Sequence, residues 1–295
     1  MTPKYSLVII NYNSGEFLSE LINSMKKPEI PTEDMEIIVV DNSSTDDSVD
    51  RVKWGRISHQ IIFNTTNRGF TAANNQAIKL CRGEYVVLIN PDVRLCNDIF
   101  NRMREEFLKG TSAGICGPAV YNPDGTSQVS CFSFPSGAQK ILFSAGIAKL
   151  FSSELFRRIV SKTRIKLPDS TRVFLENFGK KEEAVEVPWL SSVCMMIRRE
   201  VFDRIGYFDE TFFMYAGDED FCLRASMAGY KIYYVPKARI IHNLGWKRGA
   251  RGNNKKKDMY FKGFAAYYKK HFSGPKKALF LFLNEIDKAL NRVNN

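Results

Sequence analysis

Four short, almost wholly apolar runs punctuate the first 90 residues: "SLVII" (6–10), "EIIVV" (36–40), "QIIF" (60–63) and "YVVLI" (85–89). A strand with one wet face alternates apolar and polar side chains, whereas runs this continuous suit strands covered on both faces, as in a parallel sheet between helices. The segments between them, "GEFLSELINSMKK", "STDDSVDRV" and "GFTAANNQAIKLC", are each long enough for two or more helical turns. The succession is βαβ, and it predicts an α/β fold built on a mostly parallel, doubly wound, Rossmann-like sheet. A chain of 295 residues accommodates one large α/β domain with an appendage or two small domains.

In such sheets ligands collect at the carboxyl ends of the strands, so the residues just after each run matter most. Asn11, Tyr12 and Asn13 follow the first run; Asp41 and Asn42 the second; Asn64, Asn67, Arg68 and Gly69 the third; Asn90, Pro91 and Asp92 the fourth. Loops are polar in general, but four ends rich in Asn and Asp supply side chains that can bond a base, a ribose or a metal. Neither G-x-G-x-x-G nor G-x-x-x-x-G-K-[ST] occurs, which argues against a dinucleotide dehydrogenase and a P-loop NTPase. The diphosphate of a bound nucleotide would then need another neutraliser, most simply a divalent cation (Mn2+ or Mg2+) on a carboxylate, and Asp92 is the first candidate.

The second half carries "FFMYAGDEDFCLR" (212–224), in which Asp218, Glu219 and Asp220 stand together behind large apolar residues. Carboxylates at a helix start meet free backbone N–H groups and the positive end of the helix dipole, a stabilising arrangement without chemistry. Carboxylates crowded in a poorly solvated place also raise one another's pKa, which makes a base. Around this segment, "YNPDGTSQ" (121–128) reads as a turn, 136–160 has apolar helical periodicity, and 169–184 reads as a surface loop or short helix. A strand and then a helix from about Arg199 precede the acidic helix, which Gly229 ends; "YKIYYVP" and "ARIIHN" follow as strands. Trp189 is either a ligand-stacking or a core aromatic.

The net charge of +11 is unevenly placed. Residues 231–295 hold 16 Lys and Arg against three acids, while residues 1–230 hold 27 against 29. No RRM, zinc-finger or helix-turn-helix pattern accompanies the basic part, so nucleic acid is not the expected partner. "ALFLFL" (278–283) is too short to span a bilayer. Two readings of this tail stand: an amphipathic segment lying on an anionic membrane surface, or one packed on the preceding domain or a second subunit. The six cysteines are scattered without metal or redox spacing. With no leader-like N-terminus, they fit a cytoplasmic chain, peripheral on the cytoplasmic membrane face under the first reading.

Taken together, "VIINYNSGEFL", "VVDNSSTDDS", "NRGFTAANNQAI", "YVVLINPDV", "WLSSVCMMIRREVFDRIGYFDETFFMYAGDEDFCLRASMAGY" and "IIHNLG" resemble the family 2 glycosyltransferases, in particular their rhamnosyltransferase-like branch. The resemblance implies a GT-A fold over 1–250, with a nucleotide-sugar-binding half (1–120) and an acceptor-binding half (121–250), followed by a basic helical extension (251–295). It implies inverting transfer of a sugar, L-rhamnose from dTDP-rhamnose being the branch's expectation. The acceptor would be a glycan or polyprenyl-diphosphate-linked chain in surface polysaccharide synthesis, and the transfer would need a divalent cation. Carried over residue by residue, Asn11 and Tyr12 border the base, Asp41 bonds base or ribose, and Asn67, Arg68, Gly69, Asn75 and Asn90 line the donor pocket. Asp92 and His242 hold the metal, Asp218 is the catalytic base, and Trp189, Glu219 and Asp220 face the acceptor.

Two departures stand out. The D-x-D position reads Asn90-Pro91-Asp92, and Gly217 stands where the branch often has glutamate. They keep open a silent nucleotide-sugar-binding protein of the same fold. A sugar nucleotidyltransferase is the other alternative, though "NYNSGEFL" lacks the Gly-rich basic loop that would grip a triphosphate.

Overall fold

The structure, a computed structural model, describes residues 2–110, 112–134, 183–243 and 254–293. The periodicity over 136–160 and most of the segment 169–184 lie outside the described residues.

The chain runs β1 (Tyr5–Asn11), α1 (Phe17–Ser24), β2 (Met35–Asp41), β3 (His59–Phe63), α2 (Phe70–Ile78), β4 (Tyr85–Ile89), β5 (Val93–Leu95) and α3 (Ile99–Leu108). There follow β6 (Ala113–Tyr121), the two-residue strands β7 (Ser127–Gln128), β8 (Cys131–Phe132), β9 (Val185–Glu186) and β10 (Trp189–Leu190), then β11 (Cys194–Arg198). The helices α4 (Arg199–Ile205) and α5 (Gly217–Met227), the strand β12 (Lys231–His242), and the helices α6 (Asn254–His271) and α7 (Gly274–Val293) complete it.

The main sheet runs β3-β2-β1-β4-β11-β6-β12-β5. Its first four strands are parallel, as the apolar runs predict, and β11 enters antiparallel beside β4. β1 and β2 are buried almost throughout, whereas β3 is an edge strand with exposed His59, Gln60 and Phe63, so the expectation of two covered faces fails at that edge. Leu18, Leu21 and Ile22 of α1 and Ile99, Phe100, Met103 and Phe107 of α3 cover one face of the sheet. Ala73, Ala77 and Ile78 of α2, Val201 and Phe202 of α4, and Phe221, Cys222 and Ala225 of α5 cover the other.

Two local expectations change. "STDDSVDRV" forms turns, not a helix. Its short polar side chains bond the local backbone instead: Asp46 accepts from Gly15 N (2.8 Å) and Ser48 N (3.3 Å), a local alternative to helical bonding. "YKIYYVP" and "ARIIHN" join into the single strand β12, whose register against β6 shifts between Val235 and Arg239. Pro236 sits in that irregularity, where a missing N–H costs no ladder bond.

The C-terminal hairpin of α6 and α7 packs on the start of α5. Tyr267, Tyr268 and Phe280 are buried with Phe212 and Ala216 in one cluster. Of the apolar tail residues, Phe280 is buried and Leu281 packs against that cluster, while Phe282 is 63% exposed. Packing on the start of α5 therefore accounts for one face of the tail and leaves another exposed.

Candidate active site

The carboxyl ends of β1 and β2 are stitched by a polar network. Asn11 and Asp41 are register partners, and the buried Asn11 amide donates to Asp41 Oδ1 (2.7 Å) and Ser48 Oγ (2.8 Å), while Ser14 donates to its carbonyl. Ser44 N donates to Asp41 Oδ2 (3.0 Å), so this carboxylate is fixed before any ligand arrives. Tyr12, 51% exposed, is the residue of this group whose ring stands in solvent.

The loop after β3 is held through Asn42. Its amide donates to Asn67 Oδ1 (3.0 Å) and Gly69 O (3.2 Å), and its carbonyl accepts from Arg68 N (3.0 Å) and Asn64 Nδ2 (3.1 Å). Asn67 and Arg68 thus stand beside these strand ends as exposed residues. Gly69 has φ +81°, and a Cβ there would lie 2.5 Å from Phe213 O. Its glycine is required by the close approach of the acidic segment as well as by its backbone.

The start of α2 meets the start of α5. Phe70 N donates to Phe213 O (2.6 Å), Thr71 Oγ1 donates to Phe212 O, and a Cβ on Gly217 would lie 2.5 Å from Thr71 Cγ2. Asn75 is used up in this junction: its amide donates to Phe208 O (2.8 Å) and Glu210 Oε1 (3.0 Å), and its carbonyl accepts from Phe208 N (3.0 Å). The structure places Asn75 between the halves, 3% exposed, rather than on an open pocket wall.

Ala216, at φ +69°, turns the chain into α5, and the three acids diverge within its first turn. Asp218 stays partly exposed; its Oδ2 accepts from Ser192 N (3.1 Å) and Ser192 Oγ (3.3 Å), and its Oδ1 from Glu219 N (3.1 Å). Burial pushes its pKa above the usual carboxylate range despite these donors. Glu219 is 1% exposed and turned to the C-terminal hairpin, beside Tyr267; burial first, then the charge of this acid, raises the tyrosine's pKa. Asp220 is fully buried, its Oδ2 2.9 Å from Arg224 Nε and its Oδ1 2.7 Å from both Lys270 Nζ and His271 Nε2. All three acids stand in the first turn of α5, as the helix-start reading expects, and Asp218 alone of them stays partly exposed, its pKa raised by burial and not by its acidic neighbours.

Ser192 leads from Asp218 to the fourth strand end, because Asn90 N donates to the carbonyl of its neighbour Val193 (2.9 Å). Two residues on, Asp92 lies against the end of β12: Asn243 N donates to its carbonyl (2.9 Å), and its Oδ1 is 3.2 Å from His242 Nε2. His242 is 7% exposed, and its Nδ1 faces the amide of Gln128. Two ligand atoms at right angles on one cation, each about 2.1 Å away, would lie about 3 Å apart, so this carboxylate and imidazole fit a shared Mn2+ or Mg2+. No group of three His, Cys, Asp or Glu side chains suited to a metal exists among the described residues. The pair would need phosphate oxygens and water to complete the coordination. Trp189 stacks on Phe132 (ring centroids 4.5 Å apart), donates to Ser133 O (3.0 Å) and packs against the buried core, contacts that the core-aromatic reading accounts for.

Sequence reasoning did not single out Ser192, Gln128 or Ser48. Each is a common polar residue whose role depends on a partner 26 to 114 positions away.

The model of the family described as "Glycosyl transferase family 2" matches residues 6–206, and that of "Glycosyl transferase family group 2" matches residues 181–267. An N-acetylglucosaminyl-diphospho-decaprenol L-rhamnosyltransferase of Mycobacterium tuberculosis is 26% identical over 261 residues, covering 84% of this chain and 79% of its own. A poly(ribitol-phosphate) beta-glucosyltransferase of Bacillus spizizenii is 30% identical over 197 residues, 62% of this chain but 31% of that protein. A mannosyltransferase from Pyrobaculum calidifontis, solved in complex with GDP-Man and Mn2+, superposes with a TM-score of 0.59 at 16% identity, covering 99% of this chain and 74% of that one.

Proposed function

The chain belongs to glycosyl transferase family 2, and on that premise we propose that it is an inverting sugar transferase with Asp218 as its base. The donor's nucleotide lies across the carboxyl ends of β1, β2 and β4, bordered by Tyr12, Asp41, Asn67 and Arg68. Asp92 and His242 hold a divalent cation, which when bound stabilises the departing diphosphate. The acceptor hydroxyl attacks the anomeric carbon from the opposite side. The new C–O bond forms as the bond to the diphosphate breaks, and the hydroxyl proton passes to Asp218.

The observation that carries this reading is the contrast among three adjacent acids: Asp220 is buried in an ion cluster, Glu219 faces a tyrosine, and Asp218 alone is partly open, held by Ser192 with its proton affinity raised by burial. Raised proton affinity without loss of access is what a general base needs. On this reading Glu219 and Asp220 shape the acceptor side by fixing the start of α5, not by touching the sugar.

The relative from M. tuberculosis supports L-rhamnose as the transferred sugar and a polyprenyl-diphosphate-linked glycan as the acceptor. The test is a transfer assay that pairs dTDP-rhamnose, UDP-GlcNAc and GDP-mannose with a lipid-diphosphate-linked sugar, with and without Mn2+. Rhamnose transfer that needs Mn2+ is expected, with Asp92→Ala and His242→Ala weakening the metal-dependent part; transfer from another donor alone would reassign the sugar.

Such an acceptor sits at a membrane, and α7 offers a surface for one. Leu279 and Phe282 are 43% and 63% exposed on this helix, whose first turn carries Lys276 and Lys277. No helix among the described residues is long and apolar enough to cross a bilayer. Co-sedimentation with anionic but not zwitterionic vesicles, lost in Leu279→Ser/Phe282→Ser, is expected; those substitutions leave buried Phe280 and Leu283 in place. Binding indifferent to lipid charge and to these substitutions would remove the membrane from the account.

A further inference from the structure

We propose that Gln128 is a positioning residue that holds the His242 ring and accepts its proton at Nδ1 when Nε2 bonds a cation; this rests on the reading of Asp92 and His242 as its ligands. Gln128 ends the two-residue strand β7, which pairs with β6 opposite Val120. The turn before it is tightly made: Asn122 N donates to Thr126 O (2.7 Å) and Thr126 N to Asp124 Oδ1 (2.9 Å). That turn presents the Gln128 amide to the far side of the imidazole from Asp92, with Nε2 3.1 Å and Oε1 3.2 Å from His242 Nδ1.

A neutral imidazole carries one N–H and one lone pair, and the group bonded to one nitrogen decides what the other can do. The 7% exposed ring of His242 leaves water little part in that choice. For a cation to bond Nε2, the ring proton must sit on Nδ1, and Gln128 Oε1 is placed to accept it. Without a cation, Nε2–H donates to Asp92 Oδ1 at 3.2 Å, and the amide N–H of Gln128 donates to Nδ1. Both amide atoms lie within reach of the same nitrogen, so Gln128 serves either tautomer without moving the ring. An apolar side chain would satisfy neither. Ligand histidines generally depend on such a partner, and losing it costs about 10–100-fold in metal affinity.

The test titrates Mn2+ into the full chain with saturating dTDP, reading free Mn2+ by electron paramagnetic resonance, for Gln128→Leu, Gln128→Glu and His242→Ala. A glutamate can only accept, so it holds the proton on Nδ1 as Oε1 does. Gln128→Leu is expected to weaken Mn2+ about 10-fold or more, with an unfolding temperature and metal-free dTDP affinity close to the parent's, while Gln128→Glu keeps the affinity. Parent-like Mn2+ affinity in Gln128→Leu, beside a weakened His242→Ala, would overturn the proposal and leave the ligand reading standing. An equal loss in Gln128→Leu and Gln128→Glu would overturn it in favour of plain packing. Unchanged affinity in His242→Ala would overturn both.

Discussion

Asp218 and Gly217 show how much one position decides. Folding raises the proton affinity of Asp218, chiefly by burial. As pH rises, the unfolded chain therefore gives up this proton first, and the folded state carries a penalty throughout the range above the folded pKa. Asp218→Asn should accordingly gain in unfolding temperature relative to the parent as pH rises toward 7, with that gain gone by about pH 3, below the ordinary carboxylate value of ~3.9. A thermal denaturation series in pH checks the sign; a gain that grows on acidification would contradict it. The glycine at 217 is explained by its neighbour, since an added Cβ would lie 2.5 Å from Thr71 Cγ2 and Thr71 is tied to Phe212 O by its hydroxyl. Gly217→Ala should cost about 1–3 kcal/mol by overpacking. Thr71→Ser, which deletes the methyl and keeps the hydroxyl, should restore part of that loss in a double-mutant cycle. Additive effects of the two changes would show that the methyl is not what excludes a side chain. "GDED" was legible as a functional cluster, but which of its acids stays open was not, because the i to i+2 spacing of a helix start sends the side chains to different neighbours.

At the scale of elements, the parallel half was the most legible part, since apolar runs report burial on both faces directly. β3 misled because an edge strand can keep the same β-branched composition with its face in water. The segment "STDDSVDRV" misled for the opposite reason: its length suits a helix, but its Ser and Asp side chains bond the backbone locally. The C-terminal hairpin was legible as amphipathic, not as the support of the acidic helix, because the residues it braces lie some 50 positions earlier. Its hold on α5 is electrostatic as well as apolar. Asp220 is the shared partner of Arg224, Lys270 and His271, and Lys270 also bonds Asp209 (2.6 Å), whose pKa is held at about 2 by Lys270 and Thr211 against the upward pull of burial. Removing one member of a buried ion cluster strands the others, so Asp220→Ala should destabilise by about 3–5 kcal/mol, measured by urea denaturation. Loss of less than about 1 kcal/mol would mean the cations reach solvent easily and the hairpin is held by its aromatic face alone.

For the whole molecule, the site arises where three separately coded pieces converge: the strand ends of the parallel half, the antiparallel β11 that brings Ser192 beside Asn90, and α5 braced from behind by α6 and α7. The sequence announces the first through its Asn- and Asp-rich strand ends. The convergence itself depends on pairings such as β11 with β4, which no local pattern encodes. Every piece serves one claim, that a single carboxylate at the start of α5 removes the acceptor proton. The most direct test is Asp218→Asn, assayed for transfer and, in parallel, for Mn2+-dependent donor binding. An amide of the same shape keeps an acceptor for Ser192, gives up the bond from Glu219 N, and cannot take a proton. Transfer should fall about 10²–10⁴-fold while donor affinity stays within about two-fold of the parent, a margin well under the tenfold that 1.4 kcal/mol represents. Near-normal turnover in Asp218→Asn would contradict the account and place the base elsewhere.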